Sequence, residues 1–129
     1  MRRILKRLFG GGPTVESALA LYRAGRFADA LKQADTLIER APDLAMGWRF
    51  KGECLFELQQ YGESIVAFRV AQNFGGPGTE DLFLWIARCC ARDKRVGDAT
   101  DVLNKFIAEA GEDDADLIAQ AKSALAQLI

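Results

Sequence analysis

The sequence predicts an all-α fold built as a stack of antiparallel helix hairpins, and three observations carry that expectation. First, small and apolar residues return at one period. Phe27, Tyr61 and Val96 stand 34 and 35 residues apart, and Ala30, Ser64 and Ala99 keep the same spacing, as do Ala34, Phe68 and Leu103. Upstream of each, Ala18, Gly52 and Ala87 form a small-residue column, and Leu21, Leu55 and Cys90 an apolar one. Second, each period holds two apolar patterns of helical spacing. Third, nothing alternates with period two over a useful length, so strands have no foothold.

Taken in order, the patterns predict helices near 14–24, 27–41, 44–58, 62–74, 80–92, 96–110 and 114–128. Within a period the breaks are "AGR", "QQ" and "RDKR", long enough only for a tight helix–helix turn. Between periods the punctuation is stronger: "APD" at 41–43, "GGPG" at 75–78 and "GEDD" at 111–114. Asp43, Thr79 and Asp113 or Asp114 are the expected N-caps, because their side-chain oxygens accept the first free amides of a helix. The small column has a steric reason. Where two helices of a hairpin cross closely, a large side chain would force them apart.

Composition bounds the function. The 129 residues fit one domain, and half of them are hydrophobic, enough for a continuous core. Net charge is −1 with a pI near 5.5, which argues against nucleic acid as a main ligand. Arg2, Arg3, Lys6 and Arg7 concentrate positive charge at the N-terminus, which leaves about −5 on the remainder. Histidine is absent, which removes Ser-His and Cys-His nucleophile pairs and most zinc sites. No cofactor or metal is expected, and no catalysis. Cys54, Cys89 and Cys90 lack framework spacing and read as reduced, buried thiols, which makes a cytoplasmic location the expectation. No apolar run reaches about 18 residues, so no transmembrane segment is predicted.

The columns resemble the tetratricopeptide repeat. "GRFADAL", with Pro42 eleven residues after its Leu31, and then Trp48, Lys51, Gly52 and Leu55 look like that repeat's signature. The resemblance divides the chain into a basic segment at 1–10 and a repeat domain at 11–129. The repeats fall near 11–44, 45–79 and 80–111, and a capping helix lies near 113–129. The match departs from the pattern at Val96, where an aromatic is usual, and at Gly76, where a proline is expected. Lys51 stands in a usually apolar column, and the turn glycine Gly25 becomes Gln59 and Lys94.

The resemblance implies a right-handed α-solenoid whose first helices line a concave groove that binds a protein or peptide partner. Carried over by position, the groove takes Val15, Leu19, Tyr22 and Arg23 from the first repeat. The second gives Arg49, Phe50, Glu53, Phe56 and Glu57, and the third Leu84, Trp85, Arg88 and Arg92. Aromatic and Arg side chains are frequent interface anchors. Arg49, Arg88 and Arg92 are suited to carboxylates on a peptide, and Glu53 and Glu57 to a basic residue or to Arg49 and Arg88. One subgroup of the family grips an acidic C-terminus through Lys, Asn and Arg. Here Val15, Leu19, Phe50, Asp81 and Trp85 hold those positions, and that mode is disfavoured.

Three other stretches invite a functional reading. "MRRILKRLF" places Ile4, Leu5, Leu8 and Phe9 at helical spacing against Arg2, Arg3, Lys6 and Arg7. It reads either as a basic amphipathic helix for peripheral contact with an anionic membrane or a partner, or as an extra helix on the first repeat. The first of these defines the alternative function: a structural subunit that self-associates or docks on a membrane surface. "GGPG" lacks the following Lys-Ser/Thr of a phosphate loop. The acids Glu112, Asp113, Asp114 and Asp116 lack the alternating ligands of a calcium loop and suit a helix N-terminus.

Overall fold

The computed structural model describes residues 12–128, and among them every regular element is helical. The elements are α1 (Val15–Arg23), α2 (Phe27–Arg40), α3 (Ala45–Glu57), α4 (Tyr61–Phe74), α5 (Leu82–Arg92) and α6 (Val96–Glu109). A short 3-10 turn (Glu112–Asp114) then leads into α7 (Ala115–Gln127). Each helix packs against the next in the chain, so α1/α2, α3/α4 and α5/α6 form three hairpins and α7 covers the last of them. All seven helices match the intervals read from the sequence to within two residues. The basic segment 1–10 lies outside the described residues.

The three turns inside the hairpins repeat one backbone geometry. The amides of Arg26, Gln60 and Arg95 donate to the carbonyls of Leu21, Leu55 and Cys90, and those of Gly25, Gln59 and Lys94 to Tyr22, Phe56 and Ala91. This is the Schellman pattern, which closes a helix by placing one residue in the left-handed region. Gly25 takes φ 78°, Gln59 62° and Lys94 61°. The last two are not glycine, so the turn is kept there against a steric cost at Cβ.

The caps differ from expectation. Asp43 does not cap α3, whose N-cap is Leu44. Thr79 directs its hydroxyl to the Gly76 carbonyl (2.7 Å) instead of capping α5, which starts after Asp81. Asp114 precedes α7 but its carboxylate accepts from the Gly111 amide, closing the 3-10 turn. In each case the loop forms its own turn just before the helix, and that turn takes up the capping side chain or moves the helix start past it. Thr14 does form a capping box with Ser17, which opens α1.

The core runs along the small columns. Ala18, Ala30, Ala34, Gly52, Ser64, Ala87 and Ala99 are all buried, and Phe68, Leu55, Leu82, Ile86 and Leu103 fill the space around them. The tightest point is Gly52. A Cβ there would lie 2.6 Å from the buried Phe68 ring, closer than carbon atoms can approach. Beside it, the buried Ser64 hydroxyl donates to the Gly52 carbonyl (2.7 Å) and accepts from the Cys89 thiol (3.4 Å), which links α3, α4 and α5. Lys51, out of place in an apolar column, reaches the Asp35 carboxylate on α2 (2.8 Å) and lies over the Trp48 ring.

Two outcomes test this packing. Gly52→Ala is expected to destabilise by about 1–3 kcal/mol, because even one methyl displaces Phe68; a thermal melt that overlays wild type would contradict the crossing. Gln59→Gly and Lys94→Gly are each expected to stabilise by about 0.5–1 kcal/mol, since relief at positive φ exceeds the added unfolded-state entropy. Urea unfolding midpoints measure both.

Candidate partner-binding groove

The first helix of every hairpin, α1, α3 and α5, carries a row of aromatic and charged residues, and the rows meet across the hairpins. Tyr22, in the last turn of α1, sits with its ring centroid 5.1 Å from Phe27 and 5.8 Å from Phe50 on α3. Its hydroxyl donates to Glu57 (3.3 Å). Burial, and then the Glu57 and Glu53 carboxylates, push the Tyr22 phenol up to about 12, so it stays a neutral donor. Arg23 beside it is exposed.

Between α3 and α5 the second cluster forms. Phe56 meets Trp85 edge to face at 5.5 Å and Tyr61 at 5.6 Å, and Trp85 also leans on Phe68 at 5.4 Å. Phe56 is buried, while Phe50, Leu84 and Trp85 are half-buried. Arg88 lies over Trp85 and Arg92 over Phe56, with guanidinium carbons 4.8 and 5.6 Å from the ring centroids. Val15 at the rim is 59% exposed, and Leu19 is half-buried.

Arg49 is turned to the protein itself. Its guanidinium donates to both Asp81 oxygens (2.5 and 3.1 Å) and to the Gly78 carbonyl (2.7 Å), which ties α3 to the loop before α5. The Asp81 carboxyl is held below its usual range by this pairing, and the Arg49 guanidinium is raised by it. Glu53 receives only a long contact from Arg49 Nε (3.4 Å), and burial outweighs it, so the Glu53 carboxyl is pushed up. Of the two glutamates, Glu53 thus meets Arg49 while Glu57 meets Tyr22, and neither pairs with Arg88.

Asp81, the partner that fixes Arg49, enters the sequence reading only as one of the positions where the acidic-terminus grip is missing. The pairing spans 32 positions, close to one repeat period, and that spacing is the signal available in the sequence. Cys54, Cys89 and Cys90 are buried, and burial raises all three thiols, Cys54 to about 12. Among the described residues no group of three or more His, Cys, Asp or Glu is placed to hold a metal ion.

This geometry defines a helical-repeat solenoid with an aromatic and cationic face on its first helices. The model of the tetratricopeptide repeat matches residues 15–80, half of the sequence, and the chain belongs to that family. No curated protein matches it in sequence. Among solved structures it is similar to the Yersinia enterocolitica type III secretion translocator chaperone SycD, in an alternative dimer, at 18% identity and a TM-score of 0.71. That match covers 88% of this chain and 86% of the other. It is also similar to the TPR2B domain of yeast Sti1 in its complex with pHsp70, at 20% identity and a TM-score of 0.68 over 87% of this chain and 92% of that one. At these identities the likeness shows the fold.

Two measurements follow from the electrostatics. Asp81→Asn is expected to cost about 0.5–1 kcal/mol at neutral pH, a modest figure because the pair is partly solvated. The folded Asp81 carboxyl lies below its ordinary value of 3.8, so its contribution is present above that pH and lost as pH falls through the folded value. The gap between wild type and variant in urea unfolding therefore narrows below about pH 4. The three thiols should resist an aromatic disulfide reagent at mildly alkaline pH in the folded protein and react at once in denaturant; fast labelling of the native chain would contradict their burial.

Proposed function

We propose that this chain is a non-catalytic protein-interaction module that holds a peptide segment or subunit of a partner on the concave face of α1, α3 and α5. The observation that carries the reading is the pair of aromatic clusters on these first helices. Tyr22, Phe50 and Trp85 present partly exposed rings, flanked by the exposed cations Arg23, Arg88 and Arg92. Such residues bury a large area at modest entropic cost and are typical energetic centres of interfaces. Family membership supports the reading, and so do the two similar structures, a translocator chaperone and a domain in complex with pHsp70. Leu84, Phe56, Arg49, Glu53 and Glu57 serve as its floor and walls. No described helix is long and apolar enough to cross a membrane.

The test is selection of ligands from a random dodecapeptide display library on the immobilised full chain, followed by calorimetry with each selected peptide. Phe50→Ala and Trp85→Ala should weaken binding by about 1–3 kcal/mol. Lys32→Ala and Asn104→Ala, exposed on α2 and α6, should leave it unchanged. Circular dichroism must show each variant folded, because Trp85 also packs on Phe68. If the groove variants stay folded and bind normally while deletion of residues 1–10 abolishes association, the groove is not the working surface.

A further inference from the structure

Arg88 and Arg92 stand one turn apart on α5, both exposed, and each lies on an aromatic ring of the groove. Their rings, Trp85 and Phe56, are themselves locked edge to face. Among the described residues neither arginine makes an ion pair, whereas Arg49, on the neighbouring helix, is satisfied by Asp81, Glu53 and a carbonyl. Asp81 feels Arg88 at longer range, but both its oxygens are held by Arg49. Glu57 accepts from the Tyr22 hydroxyl and Glu53 meets only Arg49, at long range, and neither pairs with Arg88 or Arg92.

Stacking fixes the plane of a guanidinium and leaves the N–H donors at its edge for an acceptor. Two such cations over neighbouring rings, with Cβ atoms about 6 Å apart, make a cationic shelf. Its complement is a carboxylate, which a guanidinium binds in a bidentate manner. The positions through which related domains grip a terminal carboxylate hold Val15, Leu19, Phe50, Asp81 and Trp85, so a side-chain carboxylate within the segment is what the shelf suits.

Resting on the groove reading above, we infer that the Arg88–Arg92 shelf receives acidic side chains, and that the partner is an acidic peptide segment whose Asp or Glu residues meet α5 while its apolar residues meet Tyr22, Phe50 and Trp85.

The same display library tests it. Selected peptides should be enriched in Asp and Glu, and their affinity should fall with salt. Arg88→Gln and Arg92→Gln should each weaken binding about tenfold, as should replacing the peptide's acids by amides. Combining a protein and a peptide change should cost less than the two separately, the mark of a direct contact. Arg88→Lys keeps the charge but not the stacked plane, and should recover only part of the loss. If selected peptides lack acidic enrichment and bind the two glutamine variants like wild type while Phe50→Ala abolishes binding, the inference fails and the groove reading stands. If Phe50→Ala and Trp85→Ala also bind like wild type, the groove reading fails with it. A library that yields no ligand overturns both.

Discussion

The absence of a side chain at Gly52 is the constraint on which the rest of the molecule depends. A glycine in mid-helix costs about 1 kcal/mol of helix propensity, and here it makes room for the Phe68 ring against the α3 backbone. Phe68 in turn supports Trp85, Trp85 meets Phe56 edge to face, and Arg88 and Arg92 lie on those two rings. Arg88 is thus three contacts away from a missing methyl in the core, and Arg92 four. A change at Gly52 would alter the proposed binding face as well as the stability of the stack.

The hairpins are joined by a second device, electrostatic instead of steric. Arg49 and Asp81 connect α3 to the loop before α5, and the Gly78 carbonyl shares the same guanidinium. The loop "GGPG" has little side-chain packing of its own, and Gly75, Gly76 and Gly78 all take positive φ. Without an anchor such a segment has many conformations in reach. Bidentate geometry gives it one. The partial exposure of the pair keeps its energetic weight modest, so its role is to set the register between hairpins more than to hold them together.

The fold was legible in the sequence because the repeat writes each packing contact three times. Ala18, Gly52 and Ala87 could be recognised as one position, and the tight turns could be placed even where Gln59 and Lys94 replaced glycine. The caps were misjudged because that redundancy ends at the loops. Asp43 and Thr79 have the right chemistry, but loop geometry decides which atoms face the free amides. The aromatic and cationic residues of the first helices were legible in composition, and their pairing was not. A column shows that Arg49, Arg88 and Arg92 occur on first helices; it does not show that Asp81 engages the first while rings support the other two.

That division among three arginines follows from ordinary side-chain physics. A guanidinium beside a fixed carboxylate satisfies its donors internally and stiffens the scaffold. One laid on an aromatic ring is held in place yet keeps its donors available, because the ring contributes attraction to the cation and no acceptor oxygen. Arg88 and Arg92 are thus supported by rings of the same chain, and Tyr22 and Phe50 by their mutual contact and the Glu57 hydrogen bond. Ordering side chains on binding typically costs about 0.5–1.5 kcal/mol each. If the proposed face binds a partner, residues already held by one another leave less of that cost to be met on binding. A stack of only three hairpins and a cap can then present a specific surface without being large, provided that the core contact at Gly52 stays closed.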